Sequence, residues 1–407
     1  MQKNVLQIIW LWVLLGFTSM VYFLSLAISL PVVVTAVLVA AFGYLSYRWL
    51  GRHIAIEDPV VNKNHTTWAC VILLVGIVII TNKAYYLEPQ YGYWDAWWIW
   101  NYHAKFLGHP EFAGFLISKH SLVPHPDYPL FVSGSIAFFW RLMSTDNISV
   151  SYALSFLTTL VIPVTIFLAL YRRNIVVAAL AFLLLAVDDF YLERALAQYA
   201  DLPLGFAFLC AFICLENVKK QPLMTVVTSA VLGCCLWTKN EGAMLTLVFI
   251  TLNCRSLFGR GRWKPFLSGF AFPLLVFVFF KLSARSNDLF ELQDDHTRNF
   301  IFDWSRYEMV WESLIYNLSH NFVAVKIGLI AFAILCFVER RLPDRAIIVL
   351  LVCTTGYFFV YVLTPKSLDW HLATSMDRVL FHIVPSYIYV LARNFSRLHF
   401  RLETAES

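Results

Sequence analysis

Charge is what this chain has least of. Of its 407 residues only 14% are Asp, Glu, Lys or Arg, while 59% are apolar. Soluble domains carry about 25% charged residues. A soluble fold of this size has nowhere to hide so much apolar surface, whereas a bilayer does. The sequence also lacks internal repeats, low-complexity tracts and any polar block large enough for a separate soluble domain. The net charge of +5 comes from short basic clusters set between apolar runs, so nucleic acid is excluded as a partner. No CxxC pair with metal spacing occurs among the eight cysteines. Cys70, Cys210, Cys214, Cys234, Cys235, Cys254 and Cys353 all lie within apolar runs and read as small packing side chains.

What is there is a succession of apolar runs. Met1-Gln2-Lys3 leads straight into the first of them. Further runs follow where a cleaved signal peptide would give way to a soluble body. Residues 5–26 therefore read as a retained helix, with cleavage near Ala27 as the alternative. A crossing needs about 20 mostly apolar residues. The sequence predicts about 12 transmembrane helices, near 6–27, 30–47, 68–82, 150–170, 175–187, 202–218, 223–237, 243–255, 265–283, 322–338, 346–364 and 379–394. The expected fold class is an all-α polytopic membrane protein.

One further apolar run, 130–140, decides the sidedness of everything after it. With a cytoplasmic N-terminus and no crossing at 130–140, six basic clusters fall on the cytoplasmic side. They are Arg48/Arg52, Arg172/Arg173, Lys219/Lys220, Arg255 to Lys264, Arg340/Arg341/Arg345 and Arg393/Arg397/Arg401. A crossing there would move every cluster from Arg172 onward outside, against the positive-inside rule. Residues 129–142 are therefore expected to lie in the outer interface or to re-enter the membrane. Five polar segments remain outside: 83–128, 188–201, 237–242, 285–321 and 365–378.

The first segment contains Tyr91-Gly92-Tyr93-Trp94-Asp95-Ala96-Trp97-Trp98-Ile99-Trp100. The aromatics suit a membrane-interface belt. A belt does not account for Asp95, because a carboxylate near an apolar interface is costly unless it is paired or used. Asp95 is the candidate general base, and Trp94 and Trp97 are candidates to stack on a sugar or a lipid chain. Pro124-His125-Pro126-Asp127-Tyr128-Pro129 then forms a rigid turn that displays His125, Asp127 and Tyr128. With His103, His109 and His120 it makes a His-rich loop, where a divalent metal is possible but the irregular spacing gives no ligand set.

In the second segment, Asp201 stands at the mouth of a span with Pro203 two residues on. It reads either as a helix N-cap or as a second site carboxylate. The third segment, Thr238-Lys239-Asn240-Glu241-Gly242, sets Lys239 beside Glu241. They read as a local ion pair or, for Lys239, as a phosphate contact. The fifth segment holds His371, Thr374, Ser375 and Arg378 near the membrane edge, with Asp369 and Asp377 as possible partners of the arginine. The planar fork of an arginine matches phosphate geometry. The fourth segment carries Asp294-Asp295-His296 and Asp303-Trp304, and a loop closing over a site is one option for it.

In their order and common sidedness, these elements resemble the GT-C superfamily of membrane glycosyltransferases, which use polyprenyl-phosphate sugars. Protein O-mannosyltransferases and the lipid A aminoarabinose transferase are members. Asp95 in the first large outer loop, His125 to Leu130 before a juxtamembrane helix, Arg172-Arg173, Ala200 to Leu204 and Thr238 to Gly242 carry the likeness, across roughly residues 68–395. Residues 1–67 then stand as two added helices and 396–407 as a cytoplasmic tail. Where the family often has an acidic pair, this chain has Asp95-Ala96.

The resemblance implies inverting transfer of a sugar from a polyprenyl phosphate to an acceptor hydroxyl on a glycan, lipid or protein. Asp95 and Asp201 would be catalytic, and no metal ligand is assigned. His125, Asp127, Tyr128, Lys239, Glu241, His371, Arg378, Trp94 and Trp97 would bind substrate. The expected location is a plasma membrane, with the site on the periplasmic or extracellular side and membrane lipids around it. The other readings are a transporter or lipid-linked-sugar flippase, and an inactive assembly subunit. Transporters place their charges near the midplane, commonly in repeats.

Overall fold

The computed structural model describes residues 2–54, 63–87, 91–285, 299–340 and 342–405. Among these residues the chain is helical, with no strand. The first part comprises α1 (Lys3–Ala27), α2 (Val32–His53), α3 (Lys63–Leu87), α4 (Asn101–Gly108), α5 (Pro110–Leu116) and α6 (Phe131–Met143). Then come α7 (Ser149–Leu170), α8 (Ile175–Val187), α9 (Asp189–Ala195), α10 (Asp201–Val218), α11 (Met224–Thr238) and α12 (Glu241–Phe258). The chain closes with α13 (Trp263–Ser283), α14 (Trp304–His320), α15 (Val323–Val338), α16 (Arg345–Val362), α17 (Leu368–Phe381) and α18 (Val384–Ala405).

Eight of the described helices are long and apolar enough to cross a membrane: α1, α2, α3, α7, α10, α12, α13 and α16. Two bent pairs, α8–α9 at 67° and α14–α15 at 97°, raise the number to ten. Two further expected spans fall outside that length and composition and leave the expectation of about twelve unconfirmed. At 15 residues α11 is short. The run 379–394 is broken at His382–Ile383 between α17 and α18, and α18 carries Arg393 and Arg397.

Polar contacts gather at two opposite ends of the bundle. At one end Glu216 accepts from Arg173 at 2.9 Å, Arg393 at 2.7 Å and Tyr389 at 2.7 Å. Arg393 also pairs with Asp344, and Gln2 donates to the Leu168 carbonyl. At the other end lie Asp201 and its partners. The 15 residue steps along α10 from Asp201 to Glu216 put the two layers about 22 Å apart at the α-helical rise.

The helix α6 runs alongside α1 in the same direction. Phe131 lies against Gly16, Ser19 donates to the Leu130 carbonyl at 2.6 Å, and the rings of Tyr22 and Phe138 are 5.9 Å apart. Such close approach requires Gly134, where a Cβ would stand 2.5 Å from Ser19 Oγ. The chain reaches α6 from Asp127, beside Lys281 and Asn240 at the Asp201 end, and α6 climbs back towards that end. It therefore enters and leaves on one side, as a re-entrant element does. The preceding α1 is not peripheral: Val5, Ile9, Trp12, Met20 and Phe23 are buried, and it packs on α6 and α11. By contrast α2 is largely exposed.

Candidate active site

The site assembles around Asp201, the first residue of α10. Its N-cap is Ala200, with no side-chain capping bond, so the N-cap reading of Asp201 is corrected. The carboxylate instead turns sideways into three cationic or donor groups. Lys239 Nζ donates to Oδ1 at 2.8 Å and His382 Nε2 lies 2.8 Å from the same oxygen. Arg378 Nε and Nη2 both reach Oδ2 at 3.4 Å. Behind His382, its Nδ1 sits 2.9 Å from the Tyr357 hydroxyl, which fixes the ring.

Lys239 holds an extended conformation in the break between α11 and α12. That break exists because Gly242 lets α12 start against the carbonyl of Cys235, where a Cβ would be 1.9 Å away. The ammonium is 4% exposed as a residue and is bracketed by Asp201 and, at 3.2 Å, Glu241. Burial alone would lower its pKa, but Asp201 and Glu241 together raise it. Both readings of the Lys239–Glu241 pair are thus sharpened. The pair forms, and its lysine is already occupied by two carboxylates.

Arg378 lies on α17 with its guanidinium 4.3 Å from the centroid of the Tyr199 ring. Its Nη2 donates to Asp95 Oδ2 at 2.6 Å. Burial opposes its charge, yet Asp201 and Asp95 outweigh that and raise its pKa. It does not use Asp377, which pairs with Arg194 at 2.8 Å, nor Asp369. Thr374 donates to the Trp370 carbonyl, and Ser375 lies 2.8 Å from the Tyr361 hydroxyl, so both are engaged locally.

Asp95 caps a π-helical turn, Ala96–Trp100, of the kind frequent at functional sites. The turn points Asp95 and Trp100 inward and leaves Trp94, Trp97 and Trp98 outside. Trp94 is 73% and Trp97 45% exposed, and the Trp94 and Trp98 rings stack at 5.9 Å. Trp94 and Trp97 thus stand outside the bonded network. Trp97 stacks on Tyr91, and the inward aromatic is Trp100, whose ring lies 5.6 Å from Tyr128. The backbone N–H of Asp95 donates to the Tyr199 hydroxyl at 3.3 Å. Among the described residues nothing donates to its second oxygen, Oδ1.

A second knot adjoins the first through Asn240. Asp127 Oδ2 accepts from Asn240 at 2.7 Å and from Lys281 at 3.2 Å, and Lys281 also donates to Asn240 Oδ1 at 2.8 Å. The Tyr128 ring lies 5.9 Å from the Lys239 ammonium, with the His125 ring 4.6 Å away on Tyr128. Burial, followed by the charge of Lys366, lowers the pKa of His125. His371 lies 2.9 Å from Thr364 Oγ1, and burial with Lys366 brings its pKa to about 4. Lys366 is half-buried over Trp370 at 5.5 Å and has no described carboxylate partner.

At this site the buried carboxylate oxygens Asp127 Oδ1 and Glu241 Oε2 have no hydrogen-bond donor among the described residues. Buried acceptors of that kind are costly unless a donor arrives. Within the chain, Asp95, Asp127, Tyr128, Asp201, Lys239, Glu241 and Arg378 are thus brought together, with His125 and His371 at the edge.

Four residues of this arrangement were not picked out from sequence: Lys281, Lys366, Tyr199 and His382. Lys281 and His382 sit inside apolar runs, where an ionisable residue is itself a functional signal. The His-rich loop does not form a metal site. His103 is buried with Nε2 2.7 Å from the Pro124 carbonyl, whereas His109 and His120 are exposed. Among the described residues no three His, Cys, Asp or Glu side chains group as metal ligands. Asp294, Asp295 and His296 lie outside the described residues.

Geometry and composition define a helical membrane protein with a cluster of charged side chains at one end of its bundle. Compared with family models, curated proteins and solved structures, the chain matches none.

Proposed function

We propose that this chain is a membrane glycosyltransferase. It transfers a sugar from a polyprenyl phosphate to an acceptor hydroxyl, on the side of the membrane opposite its Lys/Arg clusters. The observation that carries the reading is the convergence of Asp95, Asp201, Lys239 and Arg378, from four separate polar segments, into one bonded network. The network lies at one end of the bundle, not at its middle, which favours surface chemistry over transport. The two donor-less carboxylate oxygens suit a polyhydroxylated ligand.

In this reading the acceptor hydroxyl gives its proton to Asp95 Oδ1 as its oxygen bonds to the anomeric carbon. The bond from that carbon to the phosphate oxygen breaks, its electron pair stays on the polyprenyl phosphate, and configuration inverts. Arg378 keeps Nη1 free of described partners and, with the unpaired Lys366, meets the growing phosphate charge. A fixed donor aimed at developing charge contributes about 3–4 kcal/mol. Lys239 is closed in, so it and Asp201 position Arg378 and do not touch the phosphate. Asp127 and Glu241 accept sugar hydroxyls.

The test is envelope glycan and lipid profiling of cells lacking the chain, followed by assay of the purified protein on synthetic polyprenyl-phosphate sugars. Wild type restores the missing sugar, while Asp95→Asn and Arg378→Ala fold, insert and fail to transfer. Full activity in Asp95→Asn overturns the reading.

A further inference from the structure

A second built site lies at the opposite end of the molecule. A cavity of about 610 Å³ opens between α1, α2, α11 and α13. Phe17 and Phe42, stacked at 3.7 Å, close it towards the middle of the bundle, with Phe272 5.3 Å from Phe17. Below them the slot separates α2 from α11 and α13, and the walls are apolar, with Val13, Val226, Ala230 and Pro273 among them. At its mouth stand Arg48, Arg52 and His53, on the last turns of α2, and among the described residues no acidic side chain lines it. Neither arginine pairs with a described carboxylate. A void of about 150 Å³ already accepts benzene, so this one has room for a hydrocarbon chain.

The same two arginines also line a neighbouring, more polar cavity of about 290 Å³, with Lys3, Gln7 and Tyr47 around it. Arg48 and Arg52 therefore stand where an apolar slot meets a basic seat. Trp10 holds the partition by donating to Ser46 at 2.9 Å, and Gln7 donates to Tyr47 at 3.3 Å. An anionic group beside arginines, continued by an apolar tail in the adjoining slot, is the chemistry of an anionic phospholipid.

We propose that this pair of cavities binds an anionic glycerophospholipid of the membrane leaflet at the Glu216 end. Its phosphate lies between Arg48 and Arg52, its headgroup near Lys3, and one acyl chain in the slot capped by Phe17 and Phe42. The lipid fills the slot that separates α2 from α11 and α13. It ties that largely exposed helix to the bundle. Charge complementarity selects the headgroup, because clustered Lys and Arg at a membrane surface attract anionic lipid.

The full chain, purified in mild non-ionic detergent, is extracted and its lipids identified by mass spectrometry. It is then delipidated and melted with phosphatidylglycerol, phosphatidylcholine or inorganic phosphate added separately. Co-purified lipid is expected to be enriched in anionic species over the source membrane. Phosphatidylglycerol is expected to raise the melting temperature by about 2–4 °C, phosphatidylcholine less, and inorganic phosphate not at all. In the double variant Arg48→Ala/Arg52→Ala the two lipids become equivalent. Equal stabilisation of the wild type by both lipids overturns the proposal, as does an unchanged preference in the double variant. Stabilisation by inorganic phosphate alone reassigns the site to a free anion and also overturns it. Because the wild-type comparison is sufficient by itself, poor folding of the variant leaves the proposal testable.

Discussion

Arg378 and Asp95 are joined at 2.6 Å across 283 residues of sequence. That bond begins a chain of charge. The same guanidinium reaches Asp201, and Asp201 in turn holds Lys239 and His382. The candidate base and the candidate phosphate ligand are therefore direct neighbours, held in register by a carboxylate beneath them.

Asp201→Asn leaves Lys239 and Arg378 buried beside a neutral amide. Breaking one partner of a buried pair costs about 3–5 kcal/mol, and the variant should melt well below wild type in detergent. In a double-mutant cycle, Asp201→Asn with Lys239→Met should recover part of that loss. Strict additivity of the two single effects would show that the 2.8 Å contact is energetically idle.

Glu216, at the far end, accepts from Arg173, Arg393 and Tyr389. Its replacement by Gln should lower the melting temperature as Asp201→Asn does. Transfer rate per folded molecule should stay at the wild-type level, measured on the same protein preparation. Loss of rate there would make the network at the Asp201 end insufficient to explain catalysis.

His103 supplies a pH prediction. Burial lowers its pKa to about 4, against the opposing hydrogen bond that its ring donates to the Pro124 carbonyl. The folded state therefore binds a proton later than the unfolded state does as pH falls. The stability it contributes is full above about pH 6.5, declines between about 6.5 and 4, and is exhausted below that. The melting temperature of wild type should fall faster over that interval than that of His103→Gln. Parallel curves would exclude His103 as the titrating group.

The sidedness assigned to α6 is open to direct labelling. In a background without native cysteines, Leu122→Cys should react with an impermeant maleimide added outside intact cells. Gln221→Cys should react only after the membrane is opened. Labelling of both from one side would mean that α6 crosses.

Much of the site was readable residue by residue. Asp95, Asp201, Lys239, Glu241 and Arg378 stand out because ionisable groups beside apolar runs are expensive, and all five enter the network. Other features were hidden for identifiable reasons. Trp94 and Trp97 look like site residues in a linear motif, but both stand on the outer face, Trp97 within a π-helical turn whose local change of pitch no spacing rule reports. Lys281 and His382 were absorbed into apolar runs because a hydropathy window averages a single charge away.

Composition and run length alone determined that the chain is a bundle of apolar helices, because so little charge cannot coat a soluble fold of 407 residues. The basic clusters determined which apolar run should not cross, through their net preference for one side. Only the tertiary structure decided that the scattered charges meet, since partners 38, 177 and 283 residues apart are chosen by helix packing and not by local sequence. It also decided that Lys239 is enclosed while Arg378 keeps a free edge. That distinction depends on which carboxylates surround each cation.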